Sequence, residues 1–142
     1  MKAIMSIFLV TLSLISVNAF AASSKGDEMK DVLSSYLKIQ EALAADSLDH
    51  VQVEAAKIVK RATEKEIKEP AQSLSHDTTI DAARSTFKRL SVAMDKWAAN
   101  AKPNGVQRMR CSMASAPWLQ KRGETRNPYY GKQMQSCGEA QK

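Results

Sequence analysis

Residues 79–100 read TIDAARSTFKRLSVAMDKWAAN, and this stretch decides which fold class the sequence predicts. Apolar residues return in it every three or four positions: Ala83, Phe87, Leu90, Met94 and Trp97. That spacing is typical of one buried face of an amphipathic helix, which has about 3.6 residues per turn. The turn sequence Lys-Pro-Asn-Gly at residues 102–105 follows. We therefore expect a helix near residues 79–100 that ends before this turn.

Two earlier segments repeat this period. The first is expected from about residue 27 to residue 45, and the second from about residue 47 to residue 68. Pro70 would end the second helix, because proline disfavours a helical conformation in the residue before it. Residues 71–79 would then connect it to the third helix. The sequence predicts an all-α fold, a small antiparallel bundle of three main helices with an irregular tail, residues 101–142, packed on it.

The beginning of the chain has the features of a secretory signal peptide. Lys2 supplies a positive charge, residues 4–17 are largely apolar, and Ala19-Phe20-Ala21 matches the small-residue pattern of a cleavage site. We expect cleavage near Ala21, export to the periplasm, and a single domain at residues 22–142. An uncleaved N-terminal anchor helix is the alternative. Nothing later in the sequence is long and apolar enough to predict a transmembrane segment.

The charge and the residue types exclude several functions. The whole chain carries a net charge of +6, and loss of residues 1–21 leaves +5 because Lys2 is the only charged residue there. A basic exported protein suits anionic headgroups or acidic protein surfaces better than nucleic acid, although a merely solvated surface is the alternative. No nucleophile–base pair, paired carboxylates or phosphate loop is recognisable, and His50 and His76 each stand alone. We therefore expect a protein that is not an enzyme.

The chemistry of the tail lies in sulfur. Met109, Cys111 and Met113 would share one face if their segment is extended, and Met134 and Cys137 would share one if theirs is helical. Thiolates and thioethers are soft ligands that select Cu(I), with Ag(I) as its analogue. Zinc would need four regularly spaced cysteines or histidines, which the sequence lacks. The five residues are therefore candidate ligands of a soft metal ion.

A disulfide between Cys111 and Cys137 is the alternative interpretation. Exported proteins fold in an oxidising environment, where two cysteines usually pair. The bridge would close a loop of 26 residues, which stabilises a protein by about 3 kcal/mol in the chain-entropy model. The methionines would then be ordinary core residues. The same pair could also hold metal when reduced and form the disulfide when oxidised, so the sequence leaves these alternatives open.

The tail and the body together resemble a known family. The tail contains Trp118-Leu119, Cys137-Gly138 and the run Arg-Asn-Pro-Tyr-Tyr-Gly at residues 126–131, and the matching body segments are residues 36–46 and 83–94. This combination resembles a domain of unknown function. That domain occurs at the C-terminal end of periplasmic adaptor (membrane-fusion) subunits of heavy-metal efflux pumps and as stand-alone exported proteins. The resemblance covers about residues 30–140.

The resemblance implies a helical exported domain associated with copper or silver, with a heavy-metal efflux adaptor or another envelope protein as its partner. The family pattern has Cys-Pro-Met where this chain has Cys111-Ser112-Met113, so the thiol and thioether are kept without the rigid proline. We expect an accessory protein of copper homeostasis that binds Cu(I) or Ag(I). The expected ligands are Cys111, Met113 and Cys137, with Met109 and Met134 as further ligands. The alternative function is a structural or interaction module of the cell envelope, stapled by the disulfide and free of metal.

Overall fold

The computed structural model describes the backbone of residues 18–142 and the side chains of residues 25–142. Of the expected signal peptide, residues 1–17 lie outside this part of the chain. The described elements are four helices, three strands and one 3-10 turn. In chain order they are α1 Asn18–Ala44, α2 Val51–Arg61, α3 Lys65–Leu74, α4 Ile80–Ala101, β1 Val106–Cys111, β2 Ala116–Lys121, the 3-10 turn Gly131–Met134 and β3 Glu139–Ala140.

The fold is mixed, and the prediction of an all-α fold is wrong. The segment expected as an irregular tail contains a three-stranded antiparallel sheet with the order β2-β1-β3. β1 and β2 pair along six residues, from Val106 opposite Lys121 to Cys111 opposite Ala116. β2 shows no alternation of apolar and polar residues because five of its six residues are buried. It also contains Pro117, which is tolerated because β2 is an edge strand of the sheet.

The second predicted helix is in fact two helices. The chain breaks between α2 and α3, where Ala62 adopts an extended conformation. Thr63 follows, and its backbone N–H and its hydroxyl both donate to the Glu28 carboxylate of α1, at 2.9 and 3.0 Å. Pro70 does not end a helix but lies inside α3, which continues to Leu74. Most of the expected connector after Pro70 is therefore helical or turn.

The predicted apolar stripes form most of the core. On α4, the residues of the stripe are buried except for Trp97, which is partly buried. Tyr36 of α1 stacks on Phe87 of α4 with ring centroids 4.9 Å apart. Tyr129 packs beside Phe87 and edge-on against Trp118 of β2. The sheet thus closes the core by burying Trp118 against the helices. None of the described helices has the length and apolar character that a membrane crossing requires.

The hydroxyl of Tyr36 links α1 to both α4 and the sheet. It lies 2.6 Å from the hydroxyl of Ser91 and accepts a hydrogen bond from the backbone N–H of Leu119 at 3.2 Å. Burial raises the pKa of Tyr36 far above its usual range, so the hydroxyl remains protonated. A buried hydroxyl needs partners to repay its loss of solvation, and these two groups supply them.

A second polar link joins the end of α1, α4 and the 3-10 turn. The Arg84 guanidinium donates to the Asp46 carboxylate at 2.6 Å, to the Leu43 carbonyl and to the Pro128 carbonyl. Its hydrogen bond to Asp46, together with the bond from the N–H of Lys132, lowers the pKa of that carboxyl group. Gly131 lies against this pair with φ +55°, and a Cβ there would overlap the Asp46 carboxylate. Glycine is therefore required by both conformation and space.

We expect Tyr36→Phe to lower the free energy of unfolding by about 1–3 kcal/mol, because it leaves the buried N–H of Leu119 without an acceptor. Urea unfolding followed by circular dichroism measures the loss. Tyr130→Phe is the matched control: Tyr130 is half-buried, and we expect a change within about 0.5 kcal/mol. Equal losses in the two variants would contradict the role given to the Tyr36 hydroxyl.

We expect Gly131→Ala to destabilise the protein more than Gly105→Ala. Both glycines have positive φ, +55° and +73°, so both substitutions carry the left-handed cost of about 1–2 kcal/mol. Of these two glycines, Gly131 alone has neighbours that a Cβ would displace, since nothing lies within 4 Å of a Cβ at Gly105. The added overlap should cost about 1–3 kcal/mol more. Thermal and urea unfolding compare the two variants, and a loss as large at Gly105 would rule this account out.

Candidate thiol and metal site

The two cysteines of the chain lie side by side. The Sγ atoms of Cys111 and Cys137 are 3.1 Å apart, and both thiols are free. Cys111 is fully buried at the end of β1, whereas Cys137 is half-buried in the segment before β3. The distance is about 1 Å longer than a disulfide bond. The fold therefore brings together the two residues that both interpretations of the sequence required.

The turn after β1 fixes the position of the Cys111 sulfur. The backbone N–H of Ala114 donates to the Sγ atom of Cys111 at 3.4 Å. The turn is closed by the N–H of Ser115, which donates to the Ser112 carbonyl at 3.1 Å. It is also anchored to α4, because the Lys88 ammonium donates to the Ala114 carbonyl at 3.0 Å. The buried sulfur thus faces a backbone donor that the rest of the fold holds in place.

Asn127 fixes the position of Cys137. Its side-chain N–H donates to the Cys137 carbonyl at 2.6 Å, and its side-chain oxygen accepts from the N–H groups of Tyr129 and Tyr130. Its backbone N–H donates to the Gln135 carbonyl at 2.9 Å. Asn127 is fully buried, so these bonds satisfy it without solvent. One side chain therefore holds both ends of the segment from residue 127 to residue 137.

Gly138 lets the chain leave the site toward β3. A Cβ at this position would overlap the indole ring of Trp118. The indole is itself held in place, because its Nε1–H donates to the buried side-chain oxygen of Gln120 at 3.0 Å. The absence of a side chain at Gly138 thus allows the backbone to approach Trp118 closely, next to Cys137.

The two thiols differ in acidity. Burial raises the pKa of Cys111, but hydrogen bonds from the Ala114 N–H, the Cys137 thiol, Asn127 and the Met113 N–H outweigh it, so the net pKa lies below its usual range. The pKa of Cys137 is raised, because its thiol donates to the Cys111 sulfur and then faces a neighbouring negative charge. Cys111 is therefore the thiol of the pair that deprotonates first, and Cys137 keeps its proton to higher pH.

The three methionines have different relations to the thiols. Met109 is buried on the same face of β1 as Cys111. Met113 lies in the turn and is 62% exposed, so the extended conformation expected for residues 109–113 holds only as far as Cys111. Met134 is half-buried at the end of the 3-10 turn, and its carbonyl accepts from the Cys137 N–H at 3.1 Å. Their roles as metal ligands stay predictions.

The donors gathered here are two thiols with thioethers in the neighbouring segments. Within residues 25–142, no group of three or more histidine, cysteine or acidic side chains is placed to hold a metal ion. A pair of thiols, one of which deprotonates readily, is a donor set suited to soft ions such as Cu(I) and Ag(I). The same pair can form a disulfide with a small movement, so the site has two chemical outcomes.

Sequence reasoning found the cysteines but missed the groups that arrange them. The sequence marks residues 126–131 only as part of the family resemblance and does not predict the central role of the Asn127 side chain. Asparagine before proline is a signal for such a role, because its amide often accepts from backbone N–H groups two and three residues ahead. The Ala114 N–H had no comparable signal, since any residue provides one.

Comparison with known proteins identifies part of the chain. Residues 32–105 match the model of the family described as "Protein of unknown function (DUF3347)". The match covers α2, α3 and α4 with the C-terminal half of α1, and it ends just before β1. No curated protein and no solved structure matches the chain. Both cysteines lie beyond the matched residues.

We expect the thiolate absorbance of the reduced protein at 240 nm to rise in two steps, one below and one above the ordinary cysteine pKa of about 8.5. A hydrogen bond donated to a thiolate stabilises the charged form, so its removal raises the pKa. Cys137→Ala should therefore move the remaining step of Cys111 upward, whereas Cys137→Ser keeps a donor and should move it less. A single step at the ordinary pKa in the unmodified protein would contradict this coupling.

Proposed function

The chain belongs to the DUF3347 family of proteins of unknown function, and we propose that it is an exported accessory protein of heavy-metal homeostasis that binds Cu(I) or Ag(I). The contact between the Cys111 and Cys137 sulfurs carries this proposal. Two thiols at this distance can both reach one soft ion with little rearrangement. The lowered pKa of Cys111 supplies a thiolate, the form that binds metal.

Each cysteine has its own part in this function. Cys111 contributes the thiolate that forms at lower pH, and the N–H of Ala114 stabilises its charge. Cys137 contributes a thiol that lies half-exposed and must lose its proton when the ion binds. Metal binding therefore releases a proton, and the affinity for the ion should increase with pH until Cys137 deprotonates by itself.

Met113 is the first thioether that we propose as a further ligand. It follows Cys111 by two residues, and its exposure of 62% leaves the thioether accessible to an ion from solution. Met109 and Met134 are the remaining candidates, one buried beside Cys111 along β1 and one half-buried three residues before Cys137. The thioethers would complete the coordination of an ion that is bound by the two cysteine thiolates.

Location and partner complete the proposal. The signal-like residues 1–21 support export to the periplasm. The resemblance of the tail to a domain of heavy-metal efflux adaptors supports an adaptor, or another envelope protein, as the partner that gives or receives the ion. In this role the protein binds and delivers metal and performs no catalysis.

A structural or interaction module is the second candidate, and the same 3.1 Å contact favours it. A Cys111–Cys137 disulfide would staple the sheet segment and close a loop of 26 residues. The chain-entropy model gives such a bridge about 3 kcal/mol. The protein would then present a stable surface to an envelope partner without metal.

We expect the reduced protein to bind one Cu(I) ion, and Cys111→Ser or Cys137→Ser to weaken binding by at least about 100-fold, because each removes a thiolate donor. Competition against a chromogenic Cu(I) chelator measures the affinity. Met113→Leu tests the thioether, and Met29→Leu, a buried residue of α1, is its matched control.

The opposite outcome is equally clear. A Cys111→Ser protein that holds Cu(I) as tightly as the unmodified protein would refute the metal proposal. A protein isolated from the periplasm with its mass lowered by two hydrogen atoms, and with no Cu(I) binding after reduction, would instead establish the stapled module.

A further inference from the structure

The two sulfurs of the thiol pair differ in access from outside. Cys111 is fully buried and belongs to the core cluster. Cys137 is half-buried and lines an open groove of about 340 Å³ on the surface. The remaining residues of this groove, here named the Cys137 groove, are Arg110, Ser112, Gly138, Glu139, Ala140 and Gln141. A molecule in solution can therefore approach only one of the two sulfurs directly.

We propose that Cys137 is the site at which a small anionic thiol opens the Cys111–Cys137 disulfide and forms a mixed disulfide. This inference rests on the thiol pair of the proposed function, and it explains how an oxidised pair returns to the reduced form that holds metal. It requires that the pair can be oxidised, which the 3.1 Å contact between the sulfurs allows.

The exchange has two balanced steps. The incoming thiolate forms a bond to the Sγ atom of Cys137, the Cys137–Cys111 bond breaks, and its electron pair leaves on Cys111 as a thiolate. A second thiolate then attacks the incoming sulfur, which releases Cys137 as a thiolate and the small molecule as its own disulfide. Two electrons pass from two thiols to the protein, and each protein thiolate takes up a proton according to the pH.

Steric access and hydrogen bonding select the same direction of attack. Attack on Cys111 would require a path through the buried core, whereas the Cys137 groove opens to solvent. The sulfur that leaves faces the N–H of Ala114 at 3.4 Å, and this donor stabilises a negative charge there. Exchange rates depend on both the access to the attacked sulfur and the stability of the leaving thiolate.

The guanidinium of Arg110 gives the Cys137 groove a group that can bind a thiol carrying carboxylates. The exposed Arg110 lies on its wall, opposite Glu139 across the β1–β3 pairing. A guanidinium binds carboxylates with paired hydrogen bonds and attracts an approaching thiolate. A volume of about 340 Å³ suits a small peptide-like molecule. Glutathione has this chemistry and is the probe for the experiment.

The experiment mixes the oxidised full-length chain with glutathione and stops the exchange after short times by acid and alkylation. Trypsin cuts after Arg110, Lys121 and Lys132, so Cys111 and Cys137 fall in separate peptides, residues 111–121 and 133–142. We expect glutathione on the Cys137 peptide to exceed that on the Cys111 peptide by at least about tenfold at early times. Equal labelling, labelling mainly at Cys111, or a chain that forms no internal disulfide would overturn the proposal.

Arg110→Gln tests the preference for an anionic thiol, with Arg122→Gln as its control because Arg122 is exposed and does not line the groove. Arg110→Gln should slow glutathione about twofold to tenfold and leave the neutral thiol 2-mercaptoethanol unchanged, since only charge attraction is lost. An unchanged glutathione rate would overturn the part assigned to Arg110.

A separate sample of reduced protein is titrated with Cu(I), so that the two proposals can fail independently. Loss of Cu(I) binding with labelling confined to Cys137 would refute the metal site and leave the exchange site standing. Intact Cu(I) binding with labelling at Cys111 would do the reverse.

Discussion

The rest of the structure depends on the contacts that the side chain of Tyr36 makes in the core. Its ring stacks on Phe87, and its oxygen joins Ser91 of α4 to the backbone of β2. The helices and the sheet therefore depend on each other, because they share the hydrogen bonds of one buried hydroxyl. The residues that match the DUF3347 family contain Tyr36 and Ser91, but the third partner, Leu119, lies beyond them. Without the sheet, the Tyr36 hydroxyl would therefore keep only one of its two hydrogen-bond partners, Ser91.

The helices could be predicted because their signal is local. Ala83, Phe87, Leu90 and Met94 repeat with the period of a helix, and all four are buried where that period places them. The break after α2 could not be predicted in the same way, since it depends on Glu28, a residue 35 positions earlier that binds Thr63. Proline inside α3 was misleading, because burial of Ile67, Pro70 and Ala71 against the other helices outweighs the loss of one hydrogen bond.

The sheet and the site show the opposite situation. β2 is buried on both faces, so it lacks the alternation that identifies a strand, and its proline argues against one. The two cysteines were recognised as a pair by their residue type and their expected compartment, not by their positions in the fold. Their different acidities come from neighbours such as Ala114 and Asn127, and these neighbours are known only once the chain is folded.

Because of Asn127, we expect the segment from residue 127 to residue 137 to open as one unit. The Asn127 side chain connects the N–H groups of Tyr129 and Tyr130 with the carbonyl of Cys137, so a displacement of this side chain weakens all three bonds together. We expect the N–H groups of Tyr129 and Tyr130 to exchange with solvent through one shared local unfolding event, which requires less free energy than global unfolding. Opening of this segment would move Cys137 away from Cys111 and break the contact between their sulfurs. The free energy of this local opening therefore sets how often the buried sulfur of Cys111 is exposed to solvent. By stabilising the closed segment, Asn127 limits the reactivity of that sulfur.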